Sequence, residues 1–430
     1  MDNMLVYAAK EKRSFNEFPL NEVDSMIFSQ LAYCNFDTLP QHHSLQSLAS
    51  DDEIKTLTQG NLGGKNTEKL IKIMLENPRF KKLCWRNVVS KVDAKTQMQF
   101  NAVTFCIAED QYYIAYRGTT ATTIGWKENF NMSFNDWVPA HYFARSYYRK
   151  IKNLFSGKFY LGGHSKGGNL AFAVALNLKE SDLSHIARID CFDGPGFHNQ
   201  ERLKNRFLKL KGKIHKYIPQ GSLIGILQDD LIGEKDYCTI VAASGNSLLQ
   251  HDMFTWHVID DQFATVKQLD STSEVSWKAI AEWLKNTNDT ERKDFIEMLY
   301  LTVSDTNQIY FRKLLTPKTT YKLATRLIKN SSTQKNVWEP IIRKLFKAYV
   351  NSASNSSVII ISSSSSSNCR FSTISCPGTQ AKSALVPSLF SPGLSKSNVI
   401  ISFSYLRHVS NTFPALDVKP ITLFSTFFSL

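Results

Sequence analysis

Apolar residues recur at helical spacing near the start of the chain and change to a strand-like spacing near Met98. Residues 22–33 and 68–76 have the three-to-four-residue period of amphipathic helices, and the polar stretch 50–66 between them predicts a loop. From Met98 onward, two β-rich runs separated by a short acidic turn predict a hairpin. The pattern therefore predicts a helical N-terminal part, 1–97, ahead of a sheet.

Helical and strand-like segments then alternate along the chain. The predicted order is helix 140–154, strand 158–163, helix 166–180, strand 187–192, helix 200–210 and strand 214–218. Alternation of this kind is typical of a parallel sheet with covering helices, so the spacing predicts an α/β core over 98–265.

The pattern changes twice more toward the end of the chain. Residues 266–352 have successive amphipathic periods and predict a helical C-terminal module. Residues 353–430 are rich in serine, including the run Ser362 to Ser367, and neither period persists there. This tail is predicted to be disordered, or to come from a frameshifted or artefactual reading frame.

Composition and charge limit the classes of protein that the chain can belong to. Of its 430 residues, 43% are hydrophobic and 21% are charged, which is close to globular averages and excludes collagen, coiled coil and wholesale disorder. The net charge of +13 favours contact with an anionic surface. No nucleic-acid recognition motif accompanies the charge, so we expect no nucleic-acid partner and keep an anionic membrane surface as the candidate.

Targeting and cofactor signals are missing from the sequence. The N-terminus has its apolar and charged stretches in the reverse order of a secretory signal, and no run reaches the roughly 18 apolar residues of a spanning helix. We therefore expect a cytoplasmic protein that can contact membrane peripherally. Seven dispersed cysteines without a C-x-x-C pair indicate neither disulfides nor a zinc site, and no nucleotide or metal motif is present, so no cofactor is expected.

The candidate catalytic motif lies in residues 159–178, FYLGGHSKGGNLAFAVALNL. It contains Gly163-His164-Ser165-Lys166-Gly167, a G-x-S-x-G pattern that follows an apolar strand and precedes a helix. A hydrolase of this type needs its serine on a strained strand-to-helix turn, and the two glycines let strand and helix approach each other. Ser165 is therefore the candidate nucleophile.

An oxyanion hole needs two backbone N–H donors fixed in place before the reaction. One is expected from Lys166, directly after the serine. The other is expected from Thr119, because the strand YYIAY ends in Arg117-Gly118-Thr119-Thr120 and the glycine permits a sharp exit.

Four segments of the chain resemble a known family. They are YIAYRGTTATTIGWKENFNMSF at 113–134, GGHSKGGNLA at 162–171, FDGPGF at 192–197 and LLQHDMFTW at 248–256. They are similar to a bacterial, Mbeg-like family of lipase-like α/β-hydrolases related to the class 3 lipases. The resemblance covers about residues 20–300 and implies the α/β-hydrolase fold, a Ser-His-acid triad and ester hydrolysis.

The general base is expected on a loop late in the fold, where an imidazole can reach the serine. His251 follows the strand-like YCTIVAA and a glycine-containing turn, so it is the preferred candidate. His257 is the alternative, although it lies in an apolar run typical of packed structure.

The acid of the triad is less narrowly fixed by the sequence. In class 3 lipases it follows the next-to-last strand, but here IHKYIPQ is followed by Gly-Ser-Leu. Asp193, directly after the strand ARIDCF, occupies the position that pancreatic-type lipases use, and we prefer it. Asp229 and Asp230 are alternatives, and Asp252 is expected to be a loop carboxylate.

These candidates predict a serine esterase that acts on a small-molecule or lipid ester through an acyl-enzyme intermediate. The absence of a carboxylate directly after the next-to-last strand leaves a second class of function as the alternative. In that class the hydrolase fold is catalytically inert and binds a protein or a membrane.

Overall fold

The computed structural model describes most of the first 294 residues and scattered parts of the remainder. The described residues are 1–48, 50–120, 123–132, 134–198, 200–229, 237–247, 249–294, 341, 344, 347–348, 351–352, 359–362, 370–372, 384–385 and 399–402. The chain divides into two compact units, Met1–Leu269 and Asp270–Leu430.

The described α-helices lie in both units. They are α1 Met4–Lys10, α2 Glu22–Leu31, α3 Asp51–Thr58, α4 Gly64–Glu76, α5 Thr123–Asn131, α6 Pro139–Leu154, α7 Lys166–Leu176, α8 Glu180–Leu183, α9 Gln200–Lys209 and α10 Ser271–Lys285. Of these helices, α1 to α9 belong to the first unit and α10 belongs to the second. None of them is long and apolar enough to cross a bilayer.

The described strands of the first unit form one large sheet and a short hairpin. They are β1 Cys84–Asp93, β2 Met98–Ala108, β3 Gln111–Tyr116, β4 Lys158–His164, β5 Ile186–Phe192, β6 Ile214–Pro219, β7 Cys238–Val241, β8 Val258–Ile259 and β9 Gln262–Phe263. Strands β1 to β7 lie side by side in sequence order, with β1–β2 and β2–β3 antiparallel and every later pair parallel.

Both faces of this sheet are buried under helices. On β3, Tyr113 and Ala115 belong to an apolar cluster shared with the N-terminal helices, whereas Ile114 and Tyr116 belong to a second cluster shared with α6 and α7. Alternation along a strand places successive side chains on opposite faces, so the sheet separates two cores. A mostly parallel sheet covered on both faces, with a tight strand-to-helix turn after β4, is the α/β-hydrolase fold that the sequence predicts.

Two N-terminal elements differ from the prediction. The stretch 50–66 contains helix α3, which begins with a capping box between Ser50 and Glu53. The segment predicted to be helical up to residue 97 contains strand β1, an edge strand with a mostly half-exposed pattern. Its pairing with β2 is interrupted by a bulge between Arg86 and Val89. An edge strand buries little apolar area, so its alternation is weak in the sequence.

The second unit is described only in part. Helix α10 packs its buried face through residues such as Trp283, whose indole N–H donates to the Ile341 carbonyl at 3.3 Å. Within the predicted tail, four short strands pair in the order β12-β11-β10-β13: β10 Ile359–Ser362, β11 Arg370–Ser372, β12 Ala384–Leu385 and β13 Val399–Ser402. Most of the helical module predicted over 266–352 lies outside the described residues.

Candidate active site

Ser165 occupies the turn between β4 and α7. Its backbone has φ 57° and ψ −130°, a conformation that costs a non-glycine residue on the order of 1 to 3 kcal/mol. The turn is held by a hydrogen bond from the Ser165 N–H to the Phe192 carbonyl on β5, at 2.8 Å. Strain kept in place by the flanking strand and helix is the backbone geometry that lifts a serine hydroxyl above a sheet.

The glycines around this turn are required by close backbone approach. A Cβ on Gly163 would lie 2.4 Å from the Gly167 carbonyl carbon, and a Cβ on Gly167 would lie 2.0 Å from the Tyr116 carbonyl oxygen. No side chain fits at such distances, so strand β3, strand β4 and helix α7 can meet here only through glycine.

His251 lies at the end of a short 3₁₀ turn, Leu249–His251, and pairs with Asp193. The imidazole Nδ1 is 2.6 Å from the Asp193 Oδ2. The Asp193 side chain is 1% exposed and the His251 side chain is 25% exposed. A buried carboxylate on Nδ1 leaves Nε2 as the free nitrogen of the ring, which is how an acid orients a general base.

Asp193 is held in place by the turn that follows β6. Its Oδ1 accepts hydrogen bonds from the Ser222 hydroxyl at 2.5 Å and from the Gly225 N–H at 3.0 Å. Asp193 itself is in the left-handed region, with φ 45°. The carboxylate therefore starts from the end of β5 and reaches the turn after the next strand, where the resemblance to class 3 lipases implies that the acid should be found. The sequence contained a signal for this contact in the small residues of Gly221-Ser222-Leu223, but the spacing alone does not identify their partner.

His164, next to the serine, connects the turn to His251. The two rings lie 4.4 Å apart between centroids, and the His164 Nδ1 is 2.9 Å from the Tyr33 hydroxyl. Burial and the neighbouring His251 together lower the pKa of His164 well below its ordinary value. His164 is thus a neutral ring between Tyr33 and His251, a contact that sequence reasoning missed.

The loop after β3 passes directly over the turn at Ser165. A Cβ on Gly118 would lie 2.1 Å from the Tyr33 hydroxyl and 2.6 Å from the His164 carbonyl oxygen. Next in the loop, the Thr119 hydroxyl donates to the Asn129 Oδ1 at 2.7 Å. Lys166 is the first residue of α7, where a backbone N–H has no acceptor within the helix. The structure thus places Gly118 against the serine turn, and the oxyanion hole itself stays a prediction.

The alternative site residues have other partners. Asp229 is buried and forms an ion pair with Lys216, and it also accepts from the Tyr237 hydroxyl at 3.0 Å. Asp252 accepts from the Phe254 N–H at 3.1 Å and caps the next 3₁₀ turn. The His257 Nε2 is 2.6 Å from the Ser244 hydroxyl. Asp230 lies outside the described residues.

Ser165 and His251 are not directly hydrogen-bonded. Within the described part of the chain the Ser165 hydroxyl has no hydrogen-bond partner, and the ring of His164, the residue before the serine, contacts the His251 ring. Catalytic hydrogen bonds are often long in ligand-free structures and tighten with substrate. No group of three or more His, Cys, Asp or Glu residues in the described ranges is arranged to hold a metal ion.

Comparisons with known proteins found similar solved structures and one sequence family. None of the curated proteins compared with the sequence matches it. The crystal structure of M37 lipase is 16% identical, with a TM-score of 0.30, over 47% of this chain and 67% of its own. The native Rhizomucor miehei lipase propeptide complex is 15% identical, with a TM-score of 0.33, over 64% of this chain and 77% of its own.

The family match covers the sheet and the site together. The model of the Mbeg1-like family matches residues 74–301, which is more than half of the chain. The matched range includes Ser165, Asp193 and His251. The chain therefore belongs to the Mbeg1-like family.

Proposed function

We propose that this protein is a serine hydrolase that cleaves a carboxylic ester. In this proposal Ser165 attacks the carbonyl carbon and forms an acyl-enzyme, while His251 accepts the serine proton and gives it to the leaving alcohol. Water that gives up a proton to His251 then attacks the acyl-enzyme, which releases the carboxylic acid and restores the Ser165 hydroxyl. Asp193 stabilises the imidazolium, and the backbone N–H groups of Thr119 and Lys166 bind the oxyanion. The observation that carries the proposal is the hydrogen bond between His251 and a buried Asp193, next to a serine on a strained turn.

The proposed substrate is a lipid or acyl ester. The resemblance to class 3 lipases supports this class, and Leu249 adds a local argument because it lies two residues before His251 and is 57% exposed. An exposed apolar side chain in the same short turn as the proposed base suits an acyl chain better than a polar substrate.

We also propose that the protein works in the cytoplasm and contacts anionic membrane peripherally. The net charge of +13 supports the contact, because basic residues near an anionic surface each contribute about 1 kcal/mol. Sedimentation with phosphatidylserine vesicles should retain more protein than sedimentation with phosphatidylcholine vesicles, and equal retention would contradict the contact.

A fluorophosphonate probe tests the proposed chemistry. The full-length protein should be labelled on Ser165, and Ser165→Ala should not be labelled. Ser244→Ala is the matched control, since Ser244 also lies beside a histidine but belongs to no proposed step. Labelling of the Ser165→Ala variant at the rate of the unmodified protein would refute the assignment.

The alternative is an inert hydrolase fold that binds a protein or a membrane. The observation that favours it is the absence of a hydrogen bond between Ser165 and His251 among the described residues. Absence of probe labelling in a folded, full-length preparation would support this alternative.

A further inference from the structure

A buried ion pair lies directly beneath the loop that follows β3. The Lys166 ammonium is 2.7 Å from the Glu128 carboxylate, and the two side chains are 1% and 0% exposed. The same ammonium donates to the Gln99 carbonyl at 2.7 Å. The residue after the serine thus has its charged side chain inside the protein, between strand β2 and helix α5.

Glu128 joins three elements through its two oxygens. Its Oε2 accepts from the Gln99 N–H at 2.9 Å as well as from Lys166, and its Oε1 accepts from the Ala140 N–H at 3.1 Å. A buried ion pair offsets its desolvation cost only when the remaining polar atoms are also hydrogen-bonded, as they are here. The carboxylate therefore fixes α5 relative to both β2 and α6.

Gln99 extends this network to the loop. Its Oε1 accepts from the Thr120 N–H at 3.0 Å, and its Nε2 donates to the Thr120 hydroxyl. The neighbour of Glu128 on α5, Asn129, accepts from the Thr119 hydroxyl at 2.7 Å. The loop residues Thr119 and Thr120 are thus anchored by the same strand and helix that hold the Lys166 side chain.

We infer that the Lys166–Glu128 ion pair, acting through Gln99, is a positioning device for the oxyanion hole. It sets the distance between the loop at Thr119–Thr120 and the first turn of α7, and so between the two proposed N–H donors. The inference rests on the proposed function, since an oxyanion hole matters only if Ser165 reacts. Such donors must be held in place before the charge develops, because their benefit comes from needing no reorganisation.

A charged pair is suited to this task for a geometric reason. Buried ion pairs contribute little net stability compared with apolar residues of similar volume, so stability alone does not account for one at this place. Directional contacts to two backbone groups, the Gln99 carbonyl and the Gln99 N–H, fix the strand's register against the serine turn in a way that apolar packing does not.

The double variant Lys166→Met and Glu128→Gln tests the inference in the full-length protein. It removes both charges together, so no unpaired charge is left in the core. With a p-nitrophenyl ester, kcat should fall by about 10- to 100-fold while KM stays within about twofold, because the donors are displaced and the substrate pocket is retained. The midpoint of the pH–rate profile should not move, since His251 and Asp193 are untouched.

Hydrogen exchange supplies a readout that does not depend on activity. Exchange of backbone amides in peptides covering Thr119 and Thr120, measured by mass spectrometry, should be at least about 10-fold faster in the double variant, because the loop opens more readily when its anchors are released. The matched control is Arg79→Met with Asp24→Asn, which removes another fully buried ion pair, far from the loop in sequence. It should lower stability and leave both kcat and the loop exchange unchanged.

The outcomes separate the inference from the proposed function. Unchanged loop exchange in the double variant overturns the inference, and so does unchanged kcat in an active enzyme. If the unmodified protein hydrolyses no ester and takes up no probe, the proposed function fails, and the exchange result alone decides whether the pair holds the loop. If the double variant does not fold, Gln99→Met replaces it. This variant removes the side-chain bonds to Thr120 but keeps the Gln99 backbone bonds to Lys166 and Glu128.

Discussion

At the residue scale, Asp193 is the position where several constraints coincide. It is fully buried, its backbone is in the left-handed region with φ 45°, and its carboxylate receives donors from Ser222, Gly225 and His251. A left-handed aspartate on a strand end is uncommon and persists only where the surroundings fix it. The three donors provide that fixation, so the strain and the hydrogen bonds support each other.

Replacing Asp193 with Asn should lower turnover while preserving the fold. An amide at this position can present its NH₂ to Nδ1 and so favour the wrong tautomer of His251. We expect kcat for a p-nitrophenyl ester to fall by roughly 10³- to 10⁴-fold, with the far-UV circular dichroism unchanged. Unchanged turnover in Asp193→Asn, together with a large loss in Asp229→Asn or Asp230→Asn, would transfer the role of the acid to that residue.

His141 should make the stability of the protein depend on pH. Its Nδ1 accepts from the Val138 N–H at 3.0 Å and its Nε2 lies 2.7 Å from the Asn169 Oδ1, a pattern that only the neutral ring satisfies. Burial lowers the pKa of His141 to about 4, against an ordinary value of 6.5. The unfolded chain therefore takes up this proton first as the pH falls.

The lowered pKa of His141 makes the protein less stable at acid pH. The contribution of His141 to the free energy of unfolding is fully present above about pH 6.5 and is lost as the pH falls toward about 4, a loss of about 3 kcal/mol. The free energy of unfolding, measured in urea at pH 7 and at pH 4.5, should differ less between the two pH values in His141→Gln than in the unmodified protein. His185→Gln, a change at an exposed position, is the control and should behave like unmodified protein. Equal pH dependence in all three proteins would contradict the prediction.

At the element scale, the strand–turn–helix unit was the part of the fold most readily predicted. Strand β4 and helix α7 have continuous apolar runs, and the glycines between them restrict the backbone to one kind of turn. Helix α3 was missed because only Ile54 and Leu57 of its eight residues are apolar. Strand β1 was missed because it is an edge strand whose formation depends on its pairing with β2, and local sequence does not encode that pairing.

Only some residues of the candidate site could be selected from the sequence. Ser165, His251 and Asp193 could be selected from the sequence because each follows a strand or a glycine-rich turn. The residues that support them could not be selected. Gln99 contacts the loop across 21 positions, Glu128 contacts Lys166 across 38 positions, and Ser222 contacts Asp193 across 29 positions. Contacts of that range depend on which strands become neighbours, and periodicity contains no such information.

Gly167 offers a test of this unit as an element. In Gly167→Ala the new methyl group would lie 2.0 Å from the Tyr116 carbonyl oxygen, so α7 must move away from β3. We expect a loss of stability of about 1 to 3 kcal/mol from overpacking, together with a large loss of probe labelling because the serine turn moves with the helix. Gly212→Asn is the control, since Gly212 has open space around it and asparagine is the side chain that adopts a positive φ, here 89°, with less strain than most. Labelling of Gly167→Ala at the rate of the control would refute the argument.

At the scale of the whole molecule, both apolar clusters that flank the large sheet belong to the first unit. Every member of the two clusters lies between Met4 and Phe263, within the unit Met1–Leu269. The four strands β10 to β13 pair only with one another among the described residues and add no strand to the large sheet. The first unit, named the hydrolase unit for its α/β-hydrolase fold alone, thus has its own core and its own sheet of seven described strands.

Deleting residues 353–430 should therefore leave the melting temperature of the hydrolase unit and its probe labelling nearly unchanged. A serine-rich stretch with strands of two to four residues buries too little apolar area to offset about 1 to 2 kcal/mol of backbone entropy per ordered residue. All seven tryptophans precede residue 353, so tryptophan fluorescence follows the same groups in both chains. Trp256→Ala, which empties a fully buried site, is the positive control and should cost about 3 to 5 kcal/mol. A loss of more than about 5 °C on truncation, which corresponds to about 1 to 3 kcal/mol, would mean that the tail stabilises the hydrolase unit and that its composition is a poor guide to its role.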